Sequence, residues 1–177
     1  MYPVPANETA RQKALDRLEI VDTNASPAFD RICQIAQEYF HVPIVLVTFI
    51  DSDRAWAKAK IGLQASVLRR EDAFCSHTIM GDDVLVIQDT LRDTRSAKNP
   101  FVVGQPHIRF YAGAPIVPAS GCRVGSVCII DTKPRTLSRA ETIVLRNLAD
   151  IAVSELRLVQ AGRVAREMLA EKACMAG

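Results

Sequence analysis

The sequence lacks any long apolar run, and its charges almost cancel. None of its apolar stretches approaches the roughly 20 residues that a membrane-spanning helix needs. With 22 basic and 20 acidic residues the net charge is only +2. Non-specific attraction to nucleic acid or to a membrane surface requires a larger excess of positive charge. We therefore expect no membrane span and no nucleic-acid partner.

Signals for export, for a disulfide framework and for phosphate binding are missing as well. The N-terminus has no basic stretch followed by an apolar one, as a secretion signal would. The 5 cysteines are odd in number and irregularly spaced, which favours reduced thiols in a cytoplasmic protein. No glycine-rich phosphate loop and no internal repeat occur.

What is present is the composition of an ordinary globular domain. Of the 177 residues, 49% are hydrophobic and 24% are charged. This length suits one domain with helical extensions. A domain of this size folds without a metal or a disulfide, and we expect neither a metal nor a cofactor.

Three segments have the spacing of amphipathic helices. The first covers about 7–20 and the second 27–40, where Ser26 is the expected cap and Pro27 the first helical residue. The third opens with a capping box of Ser138 and Glu141 and is expected to run towards Leu169. Its apolar residues predict both a packing face and part of a coiled-coil seam: Leu145, Leu148, Ala152, Leu156 and Val159.

The middle of the chain predicts strands and one long irregular segment. Apolar or alternating runs indicate strands at 44–50, 55–61, 84–87, 110–117 and 124–130, with a short helix over 71–80. Residues 91–109 have no regular pattern and are expected to form a mobile lid or binding loop. The economical arrangement is an α+β fold with a small antiparallel sheet and flanking helices.

Several short motifs, in this order and spacing, resemble a known family. They include Asp51-x-Asp53-Arg54-x-Trp56, then 70–77 (Arg-Glu-Asp-Ala-Phe-Cys-x-His), 108–115 and 125–131. Together they resemble the GAF domains of bacterial sensor kinases and diguanylate cyclases over about residues 11–160. The resemblance implies a six-stranded antiparallel sheet with helices on one face and a ligand cavity on the other.

The resemblance also implies a function. A GAF domain of this type would be a non-catalytic regulatory module that binds an unidentified small molecule and signals through its terminal helices. We expect an N-terminal extension over 1–10, the sensor domain over 11–160 and a helical extension or linker over 161–177. The expected partners are a second copy of the chain and a kinase or cyclase output domain.

Candidate ligand contacts come from the motifs around the expected cavity. No residue is assigned a catalytic or metal-binding role, because only His107 could join Cys75 and His77 as a metal ligand. The residues expected to contact the ligand are Phe74, Cys75, His77, Phe101, His107, Arg109, Tyr111 and Cys128.

Three of these assignments have alternatives. Cys75 and His77 are either packing and hydrogen-bonding residues of the pocket wall or reactive groups. Arg109 either binds an anionic or polar ligand or pairs with Asp89 or Asp93 to pin the loop. The rival functions are a thiol-based redox enzyme or sensor that uses Cys75 with Cys128, and a dimerisation module without a ligand.

Signatures of three other GAF groups are incomplete. The adjacent Cys and His of bilin-binding domains and the Asn-Lys motif of cyclic-nucleotide-binding domains are missing. The cysteines Cys75, Cys122 and Cys128 do not match the local motifs of free methionine sulfoxide reductases. These groups therefore do not identify the ligand.

Overall fold

The computed structural model describes the backbone of residues 2–175 and the side chains of residues 2–172. Residue 1 of the expected N-terminal extension, residues 176 and 177 of the C-terminal one and the side chain of Cys174 lie outside these ranges. The described helices and strands are, in chain order, α1 Glu8–Leu18, α2 Pro27–Phe40, β1 Ile44–Ile50, β2 Arg54–Ile61, β3 Val67–Arg69, α3 Cys75–Thr78, β4 Leu85–Ile87, α4 Pro100–Val103, β5 Phe110–Ile116, β6 Gly125–Asp131 and α5 Arg139–Met175.

All six strands form one antiparallel sheet, in the order β3-β2-β1-β6-β5-β4. The expected α+β architecture of about six strands with flanking helices is therefore confirmed. The central strands β1, β6 and β5 are buried along their whole length because both faces of the sheet are covered. This double burial explains why their sequences are continuous apolar runs rather than alternating ones.

The helices α1, α2 and α5 cover one face of the sheet. Strand residues that point to this side, such as Val47, Phe49 and Val127, pack with Phe29 of α2 and Leu145 of α5 in the larger hydrophobic core. Phe29 and Phe49 meet edge to face, with ring centroids 6.5 Å apart. This three-helix layer gives the sheet a rigid back.

The opposite face carries a smaller core beneath short elements. There Leu46, Cys128 and Ile130 of the sheet pack against residues of α3, of α4 and of the segment before β5. Because strand side chains alternate, each central strand contributes to both cores. The thinner cover on this side is the part of the molecule that can enclose a ligand.

One expectation about local structure was wrong, and one strand was not predicted. The single helix expected over 71–80 is instead a short 3-10 turn at Arg70–Asp72 followed by α3, because Ala73 between them is extended (φ −85°, ψ 120°). Strand β3 was not expected, since three residues are too few to show a periodic pattern. It forms because it pairs with Arg54, Ala55 and Trp56 of β2.

The segment 91–109 is more regular than its sequence indicated. It contains α4, whose first turn is capped by the Asn99 side chain accepting a hydrogen bond from the Phe101 amide at 2.9 Å. Thr90 and Ser96 donate to the backbone oxygens of Ile108 and Thr90 at 2.6 and 2.8 Å. Its mobility stays a prediction.

The last helix begins as expected. Ser138 and Glu141 form a reciprocal capping box, with the Ser138 amide donating to the Glu141 carboxylate at 2.7 Å and the Glu141 amide to Ser138 Oγ at 3.2 Å. By contrast, Ser26 makes no side-chain capping bond to α2. No helix in the part of the chain that the structure describes has the length and apolar character of a membrane span.

Candidate functional site

A small cavity lies between the sheet and the elements that cover its second face. Its volume is about 20 Å³, enough for about one water molecule. Most of its lining residues are apolar, and those that carry a polar group are Thr48, Asp72, Cys75 and Tyr111. The lining residues are Ile44, Leu46, Thr48, Ala55, Leu63, Leu68, Asp72, Ala73, Phe74, Cys75, Phe101, Ile108, Tyr111 and Ile130.

Tyr111 forms the floor of this cavity and is fully buried. Its ring stacks on Phe74, with centroids 5.2 Å apart and planes inclined by 17°. Its hydroxyl shares a 2.6 Å hydrogen bond with Thr78 Oγ1. Tyr111 therefore links strand β5 to both ends of α3.

The Cys75 thiol is the centre of a buried polar cluster. Its Sγ lies 3.1 Å from Thr48 Oγ1 and 3.9 Å from Cys128 Sγ, and it accepts a hydrogen bond from the Tyr111 hydroxyl at 3.6 Å. Ser126 Oγ lies 3.4 Å from Thr48 Oγ1. The two cysteines belong to α3 and β6, so the cluster joins the cover of the cavity to the middle of the sheet.

This arrangement shifts the pKa values of the two thiols in opposite directions. Hydrogen bonding from the Cys128 thiol, and then from Ser126, Thr48 and Tyr111, outweighs burial and lowers the pKa of Cys75 to about 6. The same contact with Cys75, together with burial, raises the pKa of Cys128 well above its ordinary value. Burial and the neighbouring sulfur likewise raise the pKa of Tyr111. At most one group of the cluster is therefore ionised at neutral pH.

Four of the expected ligand contacts line the cavity, and a fifth lies next to it. Phe74, Cys75, Phe101 and Tyr111 are part of the wall. Cys128 does not line the cavity but lies behind Cys75 in the same core. The structure thus brings Cys75 and Cys128 together although they are 53 positions apart along the chain.

The two expected histidines lie elsewhere. His77 is half-buried on α3 and does not line the cavity. Burial, followed by the charge of Arg95, lowers its pKa. His107 is exposed and has a positive φ of 60°. No three His, Cys, Asp or Glu side chains are grouped as metal ligands among residues 2–172.

Arg109 lies outside the closed cavity, in an open cleft of about 850 Å³ near the end of β4. Its Nε and Nη2 donate to the two carboxylate oxygens of Asp89 at 3.0 and 2.9 Å. The hydrogen bond from Arg109 keeps the pKa of Asp89 below its usual range. Of the two hypotheses for Arg109, this geometry matches the structural pin.

Thr48, Ser126 and Thr78 were not predicted as site residues from the sequence. Thr48 and Ser126 are paired residues of β1 and β6; the Thr48 hydroxyl contacts the Cys75 thiol, and the Ser126 hydroxyl contacts that of Thr48. A signal was available for Thr48, since it is the one polar residue in the apolar run Ile-Val-Leu-Val-Thr-Phe-Ile. Its orientation towards Cys75 depends on the sheet register, which the sequence does not specify.

Known proteins share both the sequence pattern and the fold. The chain is 36% identical over 159 residues to a cyclic di-GMP phosphodiesterase of Pseudomonas aeruginosa, and this match covers 89% of the chain but 27% of the relative. The chain thus spans about a quarter of that protein's length.

Two solved structures show the same fold at low identity. The GAF domain of a phosphoenolpyruvate-protein phosphotransferase from Coxiella burnetii aligns with a TM-score of 0.66 and 14% identity, over 90% of this chain and 99% of that one. The free methionine-R-sulfoxide reductase of Neisseria meningitidis aligns with a TM-score of 0.61 and 14% identity, over 89% of this chain and 95% of that one. The sequence profile of the GAF domain family matches residues 24–156, and the chain belongs to that family.

Proposed function

We propose that the chain is the sensory part of a protein that controls cyclic di-GMP, and that a small molecule binds in the cavity under α3. The observation that supports this most is the cavity itself, which has an apolar wall and adjoins the hydrogen-bonded cluster of Thr48, Cys75 and Tyr111. Pockets of this character are the usual binding sites for small molecules. We expect the protein to act in the cytoplasm, where its thiols stay reduced.

The size of the cavity decides how binding would work. A volume of about 20 Å³ is far below the few hundred Å³ that a metabolite occupies. The cover formed by α3, Phe101 and Ile108 must therefore move outward when a ligand enters. Binding would then select a second arrangement of these elements.

The ligand that fits this cavity is small and mostly apolar, with one polar end. Eleven lining residues are aliphatic or aromatic, and none of the described lining residues is a cation. The hydroxyls of Thr48 and Tyr111 and the Cys75 thiol can exchange their mutual hydrogen bonds for bonds to a ligand. A strongly anionic ligand would find no cationic partner among these residues, since the charged one, Asp72, is acidic.

The signal would leave through α5. Residues such as Leu145 and Leu148 of this helix pack on the back of the same sheet that forms the cavity floor. Beyond Leu156 no described side chain of α5 is buried. We propose that this part of the helix pairs with a second copy and connects to an output domain that makes or degrades cyclic di-GMP.

A thermal-shift screen of small apolar and aromatic metabolites tests the binding site. A ligand at a hundred times its dissociation constant should stabilise the protein by about 2.7 kcal/mol. Ala73→Leu, which fills the cavity from its cover, should abolish the shift. Arg109→Ala should keep it, because Arg109 lies outside the cavity. Loss of binding in Arg109→Ala but not in Ala73→Leu would place the ligand in the open cleft instead.

The chain by itself should not hydrolyse cyclic di-GMP. It corresponds to about a quarter of the phosphodiesterase that it resembles, and no metal-ligand group is assembled among residues 2–172. Incubation of the purified chain with cyclic di-GMP and Mg²⁺ or Mn²⁺, followed by chromatography, should return the substrate unchanged. Metal-dependent turnover that persists after further purification would make the chain an enzyme.

A further inference from the structure

The contact between Cys75 and Cys128 is unusual because both thiols are buried and lie against each other. Their sulfurs are 3.9 Å apart, and the other two described cysteines, Cys33 and Cys122, have no such partner among the described side chains. A disulfide needs a separation of about 2.0 Å. The two sulfurs must therefore approach by roughly 2 Å for a bond to form.

The cavity beside Cys75 has the size of a small oxidant. It holds about one water molecule, and Cys75, Thr48 and Tyr111 are among its lining residues. On its outer side the wall consists of half-buried side chains, Leu63, Leu68 and Phe101, so solvent is about one side chain away. Hydrogen peroxide is only slightly larger than water.

We propose that Cys75 and Cys128 form an oxidation site for hydrogen peroxide, in which Cys75 reacts first and Cys128 closes an intramolecular disulfide. This reaction requires only the thiol pair and the cavity beside it, and does not depend on the binding of another ligand. The hydrogen bonds that lower the pKa of Cys75 also provide the thiolate that attacks a peroxide.

The reaction proceeds in two balanced steps. The Cys75 thiolate attacks one peroxide oxygen, so that an S–O bond forms, the O–O bond breaks and the leaving hydroxide takes up a proton to become water. Cys128 Sγ then attacks Cys75 Sγ, and the S–O bond breaks as the S–S bond forms. The leaving hydroxide takes the proton of Cys128. The two thiols lose two electrons and two hydrogens, and one peroxide becomes two waters.

Each neighbour of the thiols has a defined part in this chemistry. Thr48 Oγ1 at 3.1 Å and the Tyr111 hydroxyl at 3.6 Å hold Cys75 Sγ at the cavity wall. Cys128 is held on β6 at the centre of the sheet, so α3 is the element that shifts when the bond forms. Because α3 has only four residues, it can move without disturbing a long helix.

The test treats the reduced full chain with stoichiometric hydrogen peroxide and maps the thiols by alkylation and peptide mass spectrometry. We expect the loss of two hydrogens per chain and a cross-linked peptide pair that contains Cys75 and Cys128. The bulkier tert-butyl hydroperoxide should react about tenfold more slowly, because access limits the rate. Cys75 and Cys128 that remain separately alkylatable while other cysteines are oxidised would overturn the proposal.

Variants assign the two roles. Cys128→Ser should leave a sulfenic acid on Cys75 that dimedone captures, whereas Cys75→Ser should leave Cys128 unmodified. Cys33→Ser, which removes another buried thiol, should form the disulfide at an unchanged rate. At about pH 5, Thr48→Val should slow the reaction about tenfold, since raising the pKa of Cys75 by about one unit lowers its thiolate fraction about tenfold below both pKa values. If dimedone labels Cys128 in Cys75→Ser as fast as peroxide oxidises Cys75 in the wild type, Cys128 is the thiol that reacts first. If a variant does not fold, the cross-link map of the wild-type chain decides alone.

Discussion

At the scale of single residues, the Glu8 carboxylate accepts hydrogen bonds from two buried arginines. Arg11 and Arg70 are 1% and 2% exposed, and both donate to Glu8 Oε1, at 2.7 and 2.6 Å. Among the described residues, Nε and Nη2 of Arg70 have no partner. The cluster ties α1 to the turn after β1, where Arg70 also donates to the Asp51 and Ser52 carbonyls.

Glu8 should make the fold sensitive to acid. Burial raises the pKa of Glu8, but hydrogen bonds from Arg11, Arg70 and Gln12 outweigh it and hold this pKa well below its usual range. Between the unfolded pKa of about 4.3 and the lower folded value, only the unfolded chain binds the proton. The contribution of Glu8 to stability is thus complete above about pH 5 and is lost as the pH falls below about 4.

We expect Glu8→Gln to lower the free energy of unfolding by about 2 kcal/mol at pH 7, since it leaves two buried cations without a carboxylate. The variant should also lose less stability than the wild type between about pH 5 and pH 3. Urea unfolding at a series of pH values measures both effects. Glu19→Gln is the control, because Glu19 pairs with Arg163 while 64% exposed and such surface pairs contribute little. Equal effects of the two substitutions would contradict the role of Glu8.

At the scale of elements, Gly113 determines how β5 presents Tyr111. A Cβ at position 113 would lie 2.7 Å from Thr78 Oγ1 and 2.8 Å from Tyr111 Cζ, and closer still to the Tyr111 hydroxyl. The absence of a side chain therefore lets the tyrosine lie along the strand and reach α3. Gly113→Ala should cost about 1–3 kcal/mol of stability through this overlap.

A double-mutant cycle can identify the clash. In a Tyr111→Phe background the hydroxyl that the new methyl group meets first is gone, so Gly113→Ala should cost less there than in the wild type. Gly81→Ala is the matched control, since no atom lies within 4 Å of a Cβ at that position. Equal costs of Gly113→Ala in both backgrounds, measured by urea unfolding, would mean that Tyr111 is not the obstacle.

How far the sequence predicts an element depends on where its stabilising contacts come from. Strands β1, β5 and β6 and helices α2 and α5 have their own apolar periodicity, and their positions were predicted closely. The single helix expected over 71–80 does not form, because a side chain distant in sequence binds one of its carbonyl groups. Asn99 Nδ2 donates to the Asp72 carbonyl oxygen at 2.9 Å. Tertiary contacts of this kind have no signature in the local pattern.

The candidate site was likewise predicted where local motifs define it and not where tertiary contacts do. The segment that contains Phe74 and Cys75 was predicted from its motif, and both residues line the cavity. The Asp89 partner of Arg109 was one of two open alternatives. The approach of Cys75 to Cys128 and Thr48 depends on how α3 docks on the sheet, which the chain pattern alone does not determine.

At the scale of the whole molecule, α5 extends beyond the domain that it helps to form. Its 37 residues span about 55 Å. The apolar stripe expected to form a coiled-coil seam is largely used inside the domain, since Leu145, Leu148, Ala152 and Leu156 are buried. A second stripe, with successive spacings of seven, three, four and three residues, faces away from the core and contains Ile151, Leu158, Ala161, Ala165 and Met168.

This second stripe predicts a homodimer. Ile151, Leu158 and Met168 are 45%, 64% and 55% exposed, and pairing with the same stripe of another copy would cover them in coiled-coil fashion. Light scattering at micromolar concentration should give twice the chain mass of 19.5 kDa.

Leu158→Glu combined with Met168→Glu should yield monomers whose thermal unfolding is otherwise cooperative, because no described side chain beyond Leu156 belongs to the core. Val159→Glu is the control, since Val159 is also exposed, at 41%, but lies on another side of the helix. A wild-type chain that stays monomeric on concentration, or a dimer broken only by Val159→Glu, would show that this stripe is not the contact between copies.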